Sequence, residues 1–404
     1  MKLLMRCTHT PQRSMRAPRR VRQAANERDR HTAWRNTLST SATSPSPITS
    51  WVLHGPKQGD NTQTLALAEG IKDTLGGTFN IRKLTFRNTE LLTNLLLRTT
   101  LTGVRANASD RLVPPWPDLV ITAGRRNEPV ARWIKRAAGG APKLVHIGRP
   151  WSNPALFDLI ITTRQYFVPP AHNVLLLELP LLRNTTAALA QAEQRWQPIF
   201  ASLARPWIAV LVGGDSGPYR FTATRARAMG AQLRHEVGGG GSLLVTTSGR
   251  TSVEAVAALR QTLPSGGYFF DWHRDQMEDN PYLGFLALAD QFVVTAESAS
   301  MLAEACATNR PVAMFDLAGP PHETFASWRW KPLTFALGQL FAPLRLRRDT
   351  GRIHALLIAT GRATWLDTSS AKISTPSVLA HASSDLPAIQ LAAAVERVRL
   401  LFAH

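Results

Sequence analysis

Short apolar runs alternate along this chain with longer segments in which apolar positions recur every three or four residues. "WVLH" at 51–54 is a run of strand type, followed by the turn "GPKQGDN" and the segment "TQTLALAEGIKDTL" at 62–75. There Leu65, Ala68, Glu69 and Lys72 divide between an apolar and a polar face at helical spacing. A strand is predicted at "FNIRKLTF" and a helix at "ELLTNLLLRTTLTGV", 90–104. Then come strand "PDLVITAG", helix "EPVARWIKRAAG", and strands "PKLVHIG" and "DLIITT". Such alternation argues for a parallel sheet wrapped by helices.

The pattern restarts after a Pro- and Leu-rich passage at 168–183 and a helix at "TAALAQAEQRWQPIFASL". "WIAVLVGG" runs as a strand into a glycine turn. Helix "TATRARAMGAQLRHEV", strand "SLLVTTSG", helix "TSVEAVAALRQTL" and strand "GGYFFDW" follow, and residues 280–317 add two more helix–strand repeats. The reading is two doubly wound, Rossmann-like α/β domains facing across a cleft. Residues 1–49 form a basic leader without apolar period, 50–200 a first domain, 201–330 a second domain taken as the nucleotide-binding one, and 331–404 a tail with a helix near its end.

At 404 residues there is material for two cores, and 44% hydrophobic with 19% charged residues is a globular balance. The net charge of +19 adds something the pattern does not show. Lys2 and nine arginines face only Glu27 and Asp29 in the first 50 residues, a local +8 that leaves +11 for the rest. The surplus points to an anionic partner: a nucleotide, a phospholipid surface or nucleic acid. No recognition motif supports nucleic acid. The leader is Arg- and Ser-rich and acid-poor, as organelle transit peptides are; a basic extension or an upstream start in the reading frame explains it equally. Cys7 and Cys306 make neither a disulfide framework nor a metal spacing, so a reducing, cytoplasmic compartment is expected, and the basic surplus leaves a peripheral place at an anionic membrane surface open. The composition leaves oligomeric state open.

Ligands in open α/β sheets bind where strand ends run into helix N-termini. Three loops of the second half carry suitable chemistry there. "GGDSGPYRFT" offers Gly213 and Gly214, which let backbone approach a ligand closely. "TTSGRTS" offers Ser248, Arg250 and Thr251, and "TAESASM" places Ser298, Ala299 and Ser300 at a helix start. Helix N-termini hold phosphates, and Glu304 stands about 6 to 9 Å further along that helix, within reach of a ribose diol. Turn and capping chemistry would account for any one loop alone. The ligand expected is a nucleoside diphosphate sugar, with no further cofactor required.

The first half has its own loop, Gly55–Lys57–Gly59 leading to Asn61, Thr62 and Gln63, without Walker spacing. Gly124, Arg125 and Arg126 end another strand. His54 and Asp60 are candidates for an acceptor-activating base by position only. Asp271, His273 and Asp275 do not share a helical face, and no metal site is assigned.

"NPYLGFLALADQFVVTAESASMLAEA", together with "PDLVITAGRRNEPVARWIKR", "VLVGGDSGPYRFT" and "LLVTTSGRTS", resembles in order and spacing the "elongated mitochondria" family of mitochondrial fission and its bacterial relatives. The likeness runs from Trp51 to about Phe315. It implies a glycosyltransferase-like protein of the two-Rossmann, GT-B type, with the helix start at Ser298–Ser300 on a donor diphosphate and Glu304 on the ribose. Bacterial members labelled nucleoside-diphosphate-sugar epimerases keep epimerisation open. Plant members imply a third reading, a membrane-surface adaptor on mitochondria that recruits a dynamin-related GTPase. Two positions depart from the family pattern: Gly249 stands where a second arginine is usual, and no acid stands close to His54 in the first glycine loop, where the family tends to have one.

Overall fold

The computed structural model describes residues 47–87, 99–183, 186–217, 219–238, 240–275, 277–318, 337, 340–366 and 386–403. The leader, the first part of the helix expected at 90–104 and much of the tail lie outside them. Residues 99–104 form a turn instead of a helix, with Val104 bridged to Phe86.

The first lobe is a six-stranded, all-parallel sheet of β1 (Thr49–His54), β2 (Thr78–Lys83), β3 (Leu119–Ala123), β4 (Lys143–Ile147), β5 (Leu159–Thr163) and β6 (Val174–Leu177). Their spatial order is β2-β1-β3-β4-β5-β6. Successive residues of a strand point to opposite faces, and here both faces are covered. Val52, Leu119, Ile121 and Val145 pack beneath Leu67 and Ile71 of α1 (Gln58–Leu75). Trp51, Leu53, Val120 and Leu144 pack beneath Val130 and Ile134 of α2 (Asn127–Ala137). Double coverage is why these strands read as unbroken apolar runs.

The second lobe repeats the plan with β7 (Trp207–Leu211), β8 (Ser242–Thr246), β9 (Tyr268–Phe270), β10 (Gln291–Thr295), β11 (Val312–Phe315) and β12 (Thr364–Trp365). The order β9-β8-β7-β10-β11-β12 is the Rossmann order. Its helices include α4 (Ala223–Val237), α5 (Val253–Thr262), α6 (Tyr282–Leu288), α7 (Ala299–Cys306) and α8 (Gly351–Ala359). Thr222 and Ser252 cap α4 and α5, their hydroxyls accepting from Arg225 and Ala255 backbone N–H groups at 3.2 Å each. Each sheet has a switch point where the winding reverses: between β1 and β3, and between β7 and β10.

Two helices cross between the lobes, a point the domain division at residues 200 and 330 does not include. α3 (Thr186–Phe200) follows the first sheet but buries Ala192, Trp196 and Phe200 in the core of the second. Trp196 lies against Gly284 of α6, where a Cβ would stand 2.5 Å from the indole. α9 (Leu386–Arg399) returns from the tail to the first lobe. There Ala394, Val395 and Val398 join the core, and Gln390 Oε1 accepts from the backbone N–H groups of Glu178 (2.7 Å) and Leu179 (3.1 Å). An amphipathic stripe states that a helix is half buried, not which sheet covers it.

The carboxyl ends of the two sheets meet. Gly59 at the start of α1 lies against Ser300 at the start of α7, a Cβ there being 3.3 Å from the hydroxyl. The chain is thus two Rossmann-like lobes in a GT-B-like arrangement. Among the described residues no helix is long and apolar enough to cross a membrane.

Because α3 belongs to the second core, Trp196→Ala should destabilise the protein by about 3–5 kcal/mol. Urea unfolding followed by fluorescence checks it; a loss under about 1 kcal/mol would mean the helix is not docked as described.

Candidate functional site

Three loops converge at the β7/β10 switch point, and Gly213 lies at their centre. Its N–H donates to Thr295 Oγ1 at 2.8 Å, holding the end of β7 to the end of β10. A Cβ on Gly213 would collide with Glu297 Oε1 and would stand 2.8 Å from Arg250 Nη2 and 2.9 Å from Ser298 Cβ. No side chain fits. Gly214 adopts φ +94°, and a Cβ there would stand 2.5 Å from the Arg250 carbonyl. Both glycines therefore exist to bring three loops together, whatever else they contact.

The loop after β8 is braced from within. Ser248 Oγ donates to the Gly213 carbonyl and accepts from Arg250 N–H at 3.2 Å. Thr251 Oγ1 accepts from Ser248 N–H at 3.1 Å, and His273 Nε2 lies 3.0 Å from the Thr251 carbonyl. Ser248 and Thr251, expected at a ligand, have their hydroxyls turned into the scaffold. Asp271 and Asp275 accept from backbone N–H groups of their own turn, at 3.1 and 2.6 Å. Among the described residues no three metal-ligating side chains gather at one point.

Arg250 faces outward from this braced loop, with 41% of its side chain exposed. Its Nη1 donates to the Asp215 carbonyl at 3.1 Å, and its Nη2 is 3.5 Å from Glu297 Oε1. Ser298 precedes α7 without spending its hydroxyl on a cap, and Ser298 and Ala299 are both buried. Ser300 is partly exposed against Gly59. The first N–H groups of α7 have no partner within the helix, and they sit at the same strand ends as Gly213.

Glu304 lies one turn and more into α7, buried, and accepts from the Tyr282 hydroxyl of α6. Burial pushes its carboxyl up to about 7, against the opposing effect of the Tyr282 hydrogen bond. The same burial, together with Glu304, holds the Tyr282 phenol well above its ordinary value.

Three residues at this site were not singled out by sequence reasoning. Glu297 is wholly buried, and burial raises its carboxyl to about 7 although Arg250 and the Thr295 hydroxyl oppose the shift. Its Oε2 has no partner. An acid closing an apolar strand at a switch point was the available signal, masked by the serines beside it. Asp215 is raised by burial and accepts from Phe221 N–H at 2.8 Å. Arg348 comes from the tail, where no pattern marked it. It bridges the lobes, donating to Gln165 Oε1 (2.8 Å), Ser216 Oγ (3.2 Å), Gly217 O (3.1 Å) and Glu297 O (3.3 Å).

In the first lobe Asn61 closes the glycine loop: its side chain accepts from Gly55 N–H and donates to Gly55 O, both at 2.9 Å. Asp60 lies against Gly124, whose φ is +78°. Burial, then Lys83 and Arg183, lowers the pKa of His54, which is neutral at pH 7. Buried Glu128 accepts from Trp151 N–H (2.6 Å) and Ser152 N–H (2.9 Å), shaping the loop that carries Arg149. Arg149 stacks on Trp151 and Tyr166 and donates to the Leu346 carbonyl of the segment that bears Arg348.

Residues 58–339 match the sequence model of the family described as mitochondrial fission ELM1. The chain belongs to that family. It is 30% identical over 218 residues to "Mitochondrial fission protein ELM1" of Arabidopsis thaliana, a stretch that is 48% of this chain and 51% of the plant protein. The chain thus spans about half the length of that ELM1 relative. Among solved structures it is similar to the spinosyn forosaminyltransferase SpnP, with TM-score 0.47 and 12% identity over 89% of this chain and all of that one. It is similar also to a UDP-GlcNAc 2-epimerase of Methanocaldococcus jannaschii solved with UDP-GlcNAc and UDP, with TM-score 0.46 and 9% identity over 88% of this chain and all of the other.

The raised carboxyls of Glu297 and Glu304 favour the folded state of this ELM1-family protein at acid pH. A folded-state pKa above the unfolded value means the folded form holds its proton more tightly. Stability from Glu297 and Glu304 is then full below about 4.5 and falls as pH rises to about 7. Between pH 5 and pH 7.5 the unfolding free energy of Glu304→Gln should gain on that of the wild type by on the order of 1 kcal/mol per pH unit, a comparison in which the histidines of lowered pKa, acting in the opposite sense, cancel. A difference between wild type and Glu304→Gln that does not change with pH would contradict the burial described.

Proposed function

We propose that the second lobe binds a nucleoside diphosphate sugar and that the protein transfers its glycosyl group to an acceptor presented by the first lobe. The observation that carries this reading is the meeting, around Gly213, of a glycine turn, an outward arginine and the start of α7 at the Rossmann switch point. Each element suits an anionic bridge. Gly213 and Gly214, themselves buried, let the three loops close up, Arg250 supplies a forked cation, and the α7 N-terminus supplies N–H groups with about half a positive charge. Glu304 supplies acceptors for a ribose diol, the Tyr282 hydroxyl bond to its Oε2 yielding or being shared as the ligand enters.

Catalysis on this scheme is positional and electrostatic. The glycosidic C–O bond to the diphosphate breaks as an acceptor oxygen bonds to the anomeric carbon. Negative charge builds on the departing phosphate oxygen, which Arg250 and the α7 N-terminus would stabilise. The acceptor's proton passes to a base on the first-lobe loop. Asp60, at the start of α1 beside the contact with Ser300, is better placed than His54, whose Nε2 is buried. The donor is the only small molecule the scheme requires, and it is a substrate. The net positive charge favours an anionic acceptor or an anionic membrane surface as the place of action.

A thermal-shift screen with uridine, guanosine, thymidine and adenosine diphosphates tests the binding. One of them at about 100 times its dissociation constant should stabilise the protein by ~2.7 kcal/mol. Glu304→Ala should lose most of that shift. A shift unchanged in Glu304→Ala removes the ribose contact, and no shift with any of the four removes the reading.

A further inference from the structure

Glu297 combines features that ordinary scaffolding does not explain. It is a wholly buried carboxyl, with one oxygen 3.5 Å from the exposed cation the proposed diphosphate would use and the other without a partner. A buried carboxylate with an unsatisfied oxygen is costly, and a neutral residue of the same shape would fit beneath Gly213 equally well. The guanidinium of Arg250 is shared between two holders, the Asp215 carbonyl and Glu297 Oε1, at 3.1 and 3.5 Å. Only the longer of these contacts depends on protonation.

We propose that Glu297 is a proton-linked positioning residue: ionised, it draws Arg250 inward, and on arrival of the donor diphosphate it takes one proton from solvent and releases Arg250 to the anion. This deepens the donor-binding reading and rests on it. The exchange balances. The site begins with a carboxylate and a guanidinium and ends with a neutral carboxyl and a guanidinium–diphosphate pair, with one proton taken from water. Without the proton, the incoming anion would face a buried carboxylate across Gly213, and like charges at that separation repel strongly in a dry site.

The surroundings place the exchange near neutrality. The charged groups around Glu297 are Arg250 on the β8–α5 loop and Arg348 on the tail segment, whose Nη2 donates to the Glu297 carbonyl. Asp215 of the β7 loop lies against Arg250, and His354 of α8 bonds the adjacent carbonyl of Ala296 at 2.6 Å. Burial holds Asp215 above and His354 below their ordinary values. Glu297 itself is raised to about 7, chiefly by burial. An anion bound beside it raises it further, so donor affinity should weaken as pH climbs above about 7, approaching tenfold per unit while Glu297 is ionised only in the free protein.

Calorimetric titration of a nucleoside diphosphate glucose decides the matter, because its diphosphate diester does not itself titrate near neutrality. The nucleoside is the one giving the largest thermal shift. Titrations at pH 8 in HEPES and Tris, which differ in ionisation enthalpy, count the protons exchanged. The wild type should take up close to one proton at pH 8 and far less at pH 6. Glu297→Gln should take up none and bind with little pH dependence, while Glu297→Asp should restore part of the uptake. A merely structural Glu297 would lower affinity without moving the proton count.

Equal proton counts in the wild type and Glu297→Gln, or no uptake in the wild type at pH 8, overturn the proposal while donor binding stands. Should Glu297→Gln fail to fold, the wild-type counts at the two pH values decide alone. Absence of binding by every nucleotide sugar at both pH values overturns the donor reading and this proposal together.

Discussion

At Gly213 three loops come within van der Waals distance of one another, and the rest of the site follows from the lack of a side chain there. Arg250, Glu297 and Ser298 arrive from different strand ends and occupy the volume a Cβ would fill. Even alanine would separate them. With the glycine in place, the cation of one loop reaches the acid of another, and the start of α7 comes level with the end of β7. Ser248 and Thr251 lock this geometry by hydrogen bonds that run inward, to the Gly213 carbonyl and within their own loop. The exposed part of the site is the Arg250 guanidinium, standing over buried backbone at Gly213 and the buried start of α7.

The lobes are joined by more than a linker. α3 packs on the second core and α9 returns to the first, so the polypeptide crosses between them twice. The segment carrying Arg345 and Arg348 adds a third tie: Arg345 donates to the Ser152 carbonyl at 3.1 Å, and Arg348 spans Gln165, Ser216 and Glu297. Because Arg348 touches the backbone of Glu297, a shift between the lobes is felt at the acid that holds Arg250.

Much of this was readable in the residues. Continuous apolar strands and 3.6-periodic helices gave both sheets, and the structure brings the strand-end positions Gly213, Gly214, Arg250 and the start of α7 to one switch point. What escaped was long-range. β6 is a four-residue edge strand with Leu176 half exposed, so its pattern lacks two-sided burial. The faces of α3 and α9 are apolar without naming the sheet that covers them. That the Ser248 and Thr251 hydroxyls bond within the scaffold could not be read either, because hydroxyls before a helix serve a cap, a scaffold bond and a ligand equally well. Glu297 was read past because its isolation is a property of burial, which only the packed loops create, and the Tyr282 partner of Glu304 depends on the packing of α6 against α7.

Hydrogen–deuterium exchange of the intact protein, with and without a saturating nucleoside diphosphate glucose, tests the central claim most directly. Binding at the β7/β10 switch point should slow exchange in peptides covering 212–217, 248–252 and 296–304, with smaller effects around 57–61. Protection confined to the first lobe, or spread over the surface without these three loops, would contradict it.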